Sequence, residues 1–260
     1  MGASSAPSVG SIALPGEMPF LDHVEELRWR ILWSGLTLLL ATGTGFWVVQ
    51  HFDVIGLLKQ PIAPFLPESG RLFYTHPTDA FVVSLQLALL MGGVLASPVI
   101  GWQAWAFLAP ALHAREKRYI LPVLSAGTLL FLAGVAMAYH WVLPAAFRIL
   151  LGYQQANFEP IITLDNYFGF SLQLVLAFGI CFELPLVITM LSWFGVVTPR
   201  SLSRWRRYWI VIAAIIAAVL TPTPDALSML VMLVPLVLLY EVGLVMARIT
   251  ARRKDVGEGR

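Results

Sequence analysis

Long stretches without a single charge limit what this chain can fold into more than any other feature. No Asp, Glu, Lys or Arg occurs from Ile31 to Val49, from Ala80 to Pro110, or from Ile120 to Val142. From Tyr167 to Val197 the only charge is Glu183, and from Ala226 to Ala247 it is Glu241. Runs of this length have nowhere to put their apolar surface in water, so they predict helices that cross a membrane. The composition agrees: 58% of the 260 residues are hydrophobic and only 12% are charged, far from the balance of a soluble domain. The predicted class is therefore all-α, a polytopic integral membrane protein.

Six spans are expected. The first is Ile31–Val49. The second starts at Thr78 and Asp79, which read as a helix start, and stays uncharged to Pro110. That is roughly 45 Å of helix against a core of about 30 Å, so it must tilt or bend at Pro98. The third is Ile120–Val142, stopping before Pro144, and the fourth is Tyr167–Val197, with Glu183 and Pro185 inside it. The fifth, Tyr208–Leu220, offers only about 20 Å of apolar helix, short for a span. The turn TPTPD (221–225) leads into the sixth, Ala226–Ala247, with Asp225 placed to cap it. The fifth and sixth spans are thus expected to form a shortened pair.

The basic residues set the orientation. Arg28, Arg30, Arg115, Lys117, Arg118, Arg200, Arg204, Arg206, Arg207 and the run from Arg248 to Arg260 fall on one side; Lys59, Arg71 and Arg148 fall on the other. Both termini are predicted to be cytoplasmic, with 50–78 and 144–166 outside. The organisation expected is a flexible cytoplasmic tail over 1–19, a membrane domain over 20–248 and a basic cytoplasmic tail over 249–260. Residues 1–19 lack the basic start and apolar core of a signal peptide, and the lone Cys181 has no disulfide partner.

Catalysis finds little support. His23, His51, His76, His113 and His140 are scattered without zinc-ligand spacing, and neither HExxH nor GxSxG occurs. No catalytic residue, metal or cofactor is assigned, and a net charge of +2 does not suggest nucleic acid. The acids say more. LDHVEELRWR (21–30) packs Asp22, Glu25, Glu26, Arg28 and Arg30 against the first span. There Glu26 has two readings: an i, i+4 partner of Arg30, or a group facing a water-borne ligand. Glu116, in HAREKR, reads as a helix-start acid favoured by the macrodipole or as part of the same docking surface. Glu183 lies mid-span two residues before Pro185, where an ionisable group is costly; it is a functional group or a partner for backbone freed by the proline. Glu241 sits nearer the cytoplasmic end, where it can snorkel.

Four ordered motifs together resemble the TatC family, the multispanning subunit of the twin-arginine protein translocase. They are HVEELRWR; SPVIGWQAWAFLAPALHAREKR (97–118); FGICFELP (178–185); and TPTPDALS followed by PLVLLYEVG. The turn reads TPTPD where the family pattern has a tighter TPPD. The resemblance implies a concave six-helix bundle in a prokaryotic plasma (inner) membrane. It implies that Glu26, Arg28, Phe107 and Glu116 form the site for twin-arginine signal peptides of folded cargo. It matches Glu183 to a buried polar position on the concave side, and Pro61, Asp225 and Glu241 to partner-contact or structural positions. It implies single-span TatA and TatB partners near the last two spans, self-association in a receptor complex, contact with membrane lipid, and transport driven by the proton-motive force. The competing reading is an ion- or proton-coupled small-solute transporter with Glu183 as the coupling carboxylate.

Overall fold

The computed structural model describes residues 20–66, 71–108, 120–152, 161–220 and 226–258, and every regular element among them is helical. Helix α1 runs Phe20–His51 without a break, so the charged 21–30 stretch and the first span are one rod. After it come a short α2 (Val54–Lys59), capped by the Asp53 carboxylate accepting from the Gly56 N–H at 2.8 Å, and a 3₁₀ turn (Gln60–Phe65). Helix α3 (Asp79–Leu108) carries Pro98 inside it. Asp79 starts this helix as expected, and its buried carboxylate also ties the preceding loop. It accepts from the Thr75 N–H at 2.8 Å, the His76 N–H at 2.9 Å and the Thr75 hydroxyl at 3.1 Å.

The third span differs from expectation. It does not stop before Pro144. Helix α4 (Ile120–Met137) passes through a π turn (Ala138–Val142) into α5 (Leu143–Gly152). Proline lacks an N–H and crowds the carbonyl four residues back, which breaks a regular ladder. Here the ladder widens just upstream: the Leu143 N–H bonds to the Ala138 carbonyl five residues earlier, and the chain continues as helix past the proline. Nine residues expected outside the membrane, 144–152, are therefore helical.

The fourth span is two helices, α6 (Leu164–Cys181) and α7 (Leu184–Trp193), separated at Phe182–Glu183. Pro185 falls in the first turn of α7, where its missing N–H costs nothing. The expected short final pair is also corrected. Helix α8 begins earlier, at Pro199, and runs 22 residues to Leu220. Thr198 caps it by accepting from the Ser201 N–H at 3.2 Å. Helix α9 (Ala226–Glu258) has 33 residues and continues through the segment read as a tail. Five described helical stretches are long and apolar enough to cross a membrane: Val24–His51, Asp79–Phe107, Leu121–Gly152, Leu164–Trp193 and Met229–Ala251. Helix α8 is absent from that set because four arginines occupy its first half, leaving about 20 Å of apolar helix.

Close backbone contact holds α1 to α3. A side chain at Gly92 would come within 2.6–2.7 Å of the Thr42 backbone, so only glycine permits this approach. The fully buried core centres on α6. Tyr167, Phe168, Leu174 and Phe178 pack with Leu87 of α3 and with Met232 and Leu236 of α9. At one end of the bundle the outer segments are stitched together. Tyr139 donates to the Leu57 carbonyl at 2.6 Å, Tyr167 donates to the Leu58 carbonyl, and Phe73 and Thr163 form a parallel bridge. Two hydroxyls thus bond to carbonyls at the end of α2, the Leu57 carbonyl also accepting from the Gln60 N–H.

Candidate functional site

The geometry around Glu26 follows from helical spacing. Arg30 lies one turn on, and its Nε donates to Glu26 Oε1 at 3.0 Å while a terminal nitrogen reaches the same oxygen. The other terminal nitrogen of Arg30 points across to Gln103 Oε1 of α3 at 3.5 Å. The i, i+4 pair read from the sequence is present, and it uses only half of the carboxylate. Glu26 Oε2 is buried and accepts no hydrogen bond among the described residues. A buried carboxylate oxygen left without a donor is costly, which makes this atom a candidate acceptor.

The register of the two helices defines the surroundings. Thr42 meets Gly92, and Arg30 meets Gln103, so α1 and α3 run antiparallel. One turn further toward the start of α1 is Glu26, and one turn further toward the end of α3 is Phe107. The fold thereby brings Glu26 and Phe107 to the same level, from positions remote in sequence. Arg28 and Glu25 are exposed beside them, and Phe107 is half-buried. Gln103 is a member that the sequence reading missed. The available signal was an amide in an otherwise apolar stretch, one turn from Phe107. Glu116 and Asp225 lie outside the described residues.

The remaining candidates belong to other places. Glu183 sits in the α6–α7 break, with its carboxylate against Gly127 of α4; a Cβ there would come within 3.2 Å of Oε2. Glycine makes room for a carboxylate that a larger residue would displace. No hydrogen bond to the Glu183 side chain occurs among the described residues, and it does not cap α7. Its main chain closes the break instead, the Glu183 N–H bonding to the Ile180 carbonyl at 3.1 Å. Glu241 was read as a snorkelling acid, but it accepts from Arg206 of α8 at 2.7 Å. Pro61 opens the 3₁₀ turn beside the fully buried Ile62, in the stitched outer segment. Among the described residues no group of three or more His, Cys, Asp or Glu could hold a metal ion.

A polytopic helical membrane protein with an open carboxylate at the end of its first two long helices is what fold and site define. Comparison with known proteins then places it. The profile of the family described as Sec-independent protein translocase protein (TatC) matches residues 22–235. The Sec-independent protein translocase protein TatC of Aquifex aeolicus (strain VF5) is 39% identical over 239 residues, covering 91% of this chain and 98% of that protein. That of Escherichia coli (strain K12) is 33% identical over 244 residues, covering 93% and 91%. A crystal structure described as the twin arginine translocase receptor TatC superposes with a TM-score of 0.79 at 38% identity, covering 88% of this chain and 99% of that one. The chain belongs to the TatC family.

Proposed function

We propose that this chain is the signal-receptor subunit of a twin-arginine translocase, binding the paired arginines of export signals on folded proteins. The observation that carries the reading is Glu26 Oε2, buried and without a hydrogen-bond partner among the described residues, in a chain of this family. Arginine is the ligand side chain that suits it. Its guanidinium stays charged and spreads several donors in a plane, so one can reach Oε2 while Arg30 keeps Oε1. Lysine offers one compact charge and cannot bridge in the same way. Glu116 supplies the second acid in this reading, and Phe107 the apolar contact beside the first. Each charge-assisted hydrogen bond contributes about 1.5–3 kcal/mol. A few of them reach roughly micromolar affinity after the costs of association.

The same reading covers the rest of the assembly. The chain resides in a prokaryotic plasma membrane with both termini cytoplasmic, as the basic-residue bias supports. It crosses six times, with α8 as the crossing of short apolar length. Single-span TatA- and TatB-like subunits dock in the region of the last two spans, and copies of the chain associate in the receptor complex. The protein is a binding and assembly subunit rather than an enzyme, and the proton-motive force drives transport. Family membership favours export of proteins over small-solute transport, and leaves Glu183 the role of a polar group inside the bundle.

The test is binding of a twin-arginine signal peptide to the purified protein, against the same peptide with both arginines changed to lysine. Tighter binding of the arginine form, lost in Glu26→Ala, is expected. Equal binding of the two peptides refutes the reading.

A further inference from the structure

The basic end of α8 carries a second feature that signal recognition does not use. Ser201, Trp205, Trp209 and Ile212 recur at spacings of four, four and three, forming one stripe of the helix. With Tyr240 of α9 they line a groove of about 270 Å³. The side of the groove toward α9 is closed by bonds. Trp209 Nε1 donates to the Leu236 carbonyl at 3.3 Å and Tyr240 donates to the Leu202 carbonyl at 2.6 Å, with the two rings stacked. The other side is open and basic. Arg200 and Arg204, one turn apart, lie on the neighbouring stripe and are exposed.

The arginines of this region divide by partner. Arg206 is held by Glu241, and Arg248 donates to Ser203 at 2.7 Å. Arg207 lies over its neighbour's ring, 4.8 Å from the centre of Tyr208. Arg200 and Arg204 have no ion pair among the described residues. Two cations without an ion pair among the described residues therefore lie on the stripe next to an apolar groove, near the exposed Trp205 and Tyr208. Such aromatics mark the level of lipid headgroups.

We propose that this groove binds one anionic phospholipid, its phosphate on Arg200 and Arg204 and one acyl chain along Trp205, Trp209 and Ile212. The charge beside the groove selects an anionic headgroup over a zwitterionic one. The apolar lining selects an attached chain over free phosphate, which leaves the groove unfilled. A partner's transmembrane helix presents an apolar face several turns long, and nothing in it answers the paired arginines. The held lipid anchors the basic half of α8 at the interface and lets its short apolar half meet a locally thinned bilayer.

Native mass spectrometry of the purified full-length protein, in nanodiscs of phosphatidylcholine with a minor fraction of phosphatidylglycerol, tests this. A phosphatidylglycerol carrying a photoreactive acyl chain maps the position. Expected are retained phosphatidylglycerol not displaced by inorganic phosphate, and a crosslink within 205–212. Retention falls roughly fivefold for each of Arg200→Gln and Arg204→Gln. Arg204→Lys keeps the charge and keeps the lipid, which separates loss of binding from loss of folding. Ile212→Trp fills the groove and removes the acyl crosslink. Equal retention of phosphatidylcholine, unchanged retention in the glutamine variants, or a crosslink mapping elsewhere overturns the proposal. So does a protein helix trapped at Trp205 by crosslinking in native membranes.

Discussion

The α1–α3 pair and the α8–α9 pair each hold a glutamate bonded to an arginine, and they use them in opposite ways. Glu241 is closed. Its arginine comes from the other helix of the pair, both side chains stay partly exposed, and the contact joins α8 to α9. Glu26 is open. Its arginine comes from its own helix, one turn away, and takes one oxygen while the other is buried and unbonded among the described residues. Sequence type does not separate the two: each is a glutamate near an arginine at the margin of an apolar run. The direction from which the cation arrives does. An acid bonded across helices contributes to packing, whereas an acid bonded along its own helix leaves its second oxygen outside that pairing.

Charge reversal is the largest way to break this contrast. Glu26→Lys replaces an acceptor with a cation facing Arg30 and any incoming arginine, and twin-arginine peptide affinity is expected to fall by roughly a hundredfold or more. The same substitution at Glu241 should leave peptide affinity unchanged while loosening α8 from α9. Isothermal titration on both variants compares them directly, and equal losses at the two positions would erase the distinction.

Alanine sharpens it. Glu26→Ala and Glu116→Ala are each expected to weaken the peptide by about tenfold or more, one charged hydrogen bond apiece. Both proteins should still insert and assemble, as followed by membrane extraction and size-exclusion chromatography. A helix-end acid alone forecasts a stability change of about 0.3–1 kcal/mol and no change in affinity.

Glu183 lies between the two cases, with a carboxylate packed against Gly127 and no hydrogen bond to it among the described residues. Glu183→Gln should fold and lose part of the transport rate, and Glu183→Leu should lose more. Export assays in intact cells read the difference. Native rates in both variants reduce the residue to a helper of the α6–α7 break.

Smaller still is Glu241→Ala. Its partly exposed ion pair is worth about 0.2–1 kcal/mol, so thermal unfolding should shift slightly and peptide affinity not at all. Glu25→Ala sets the baseline: exposed and one residue out of register with Arg30, it should change neither quantity.

The membrane class and the approximate places of the five helices long and apolar enough to cross were legible in the sequence because hydrocarbon excludes charge residue by residue, and uncharged runs are a local record of that exclusion. The Glu26–Arg30 pair was legible for a similar reason, since i, i+4 spacing is a property of one helix. The four motifs carried the family, and the comparisons bear that out.

What the sequence by itself could not decide were the contacts made between helices. Pro144 reads as a stop, yet the π turn that absorbs it is visible only in the folded ladder. Helix α8 looked like a short span because its arginines interrupt the apolar run, but they do not interrupt the helix: Arg206 and Arg207 remain helical, and Glu241 holds the first of them. Gln103 joins the Glu26 site through the antiparallel register of α1 and α3, which depends on the close approach at Gly92. Local chemistry determines which segments enter a membrane and which neighbours on a helix meet. Whether a carboxylate ends up closed or open depends on which side chains another helix brings to it, and that is decided only by tertiary packing.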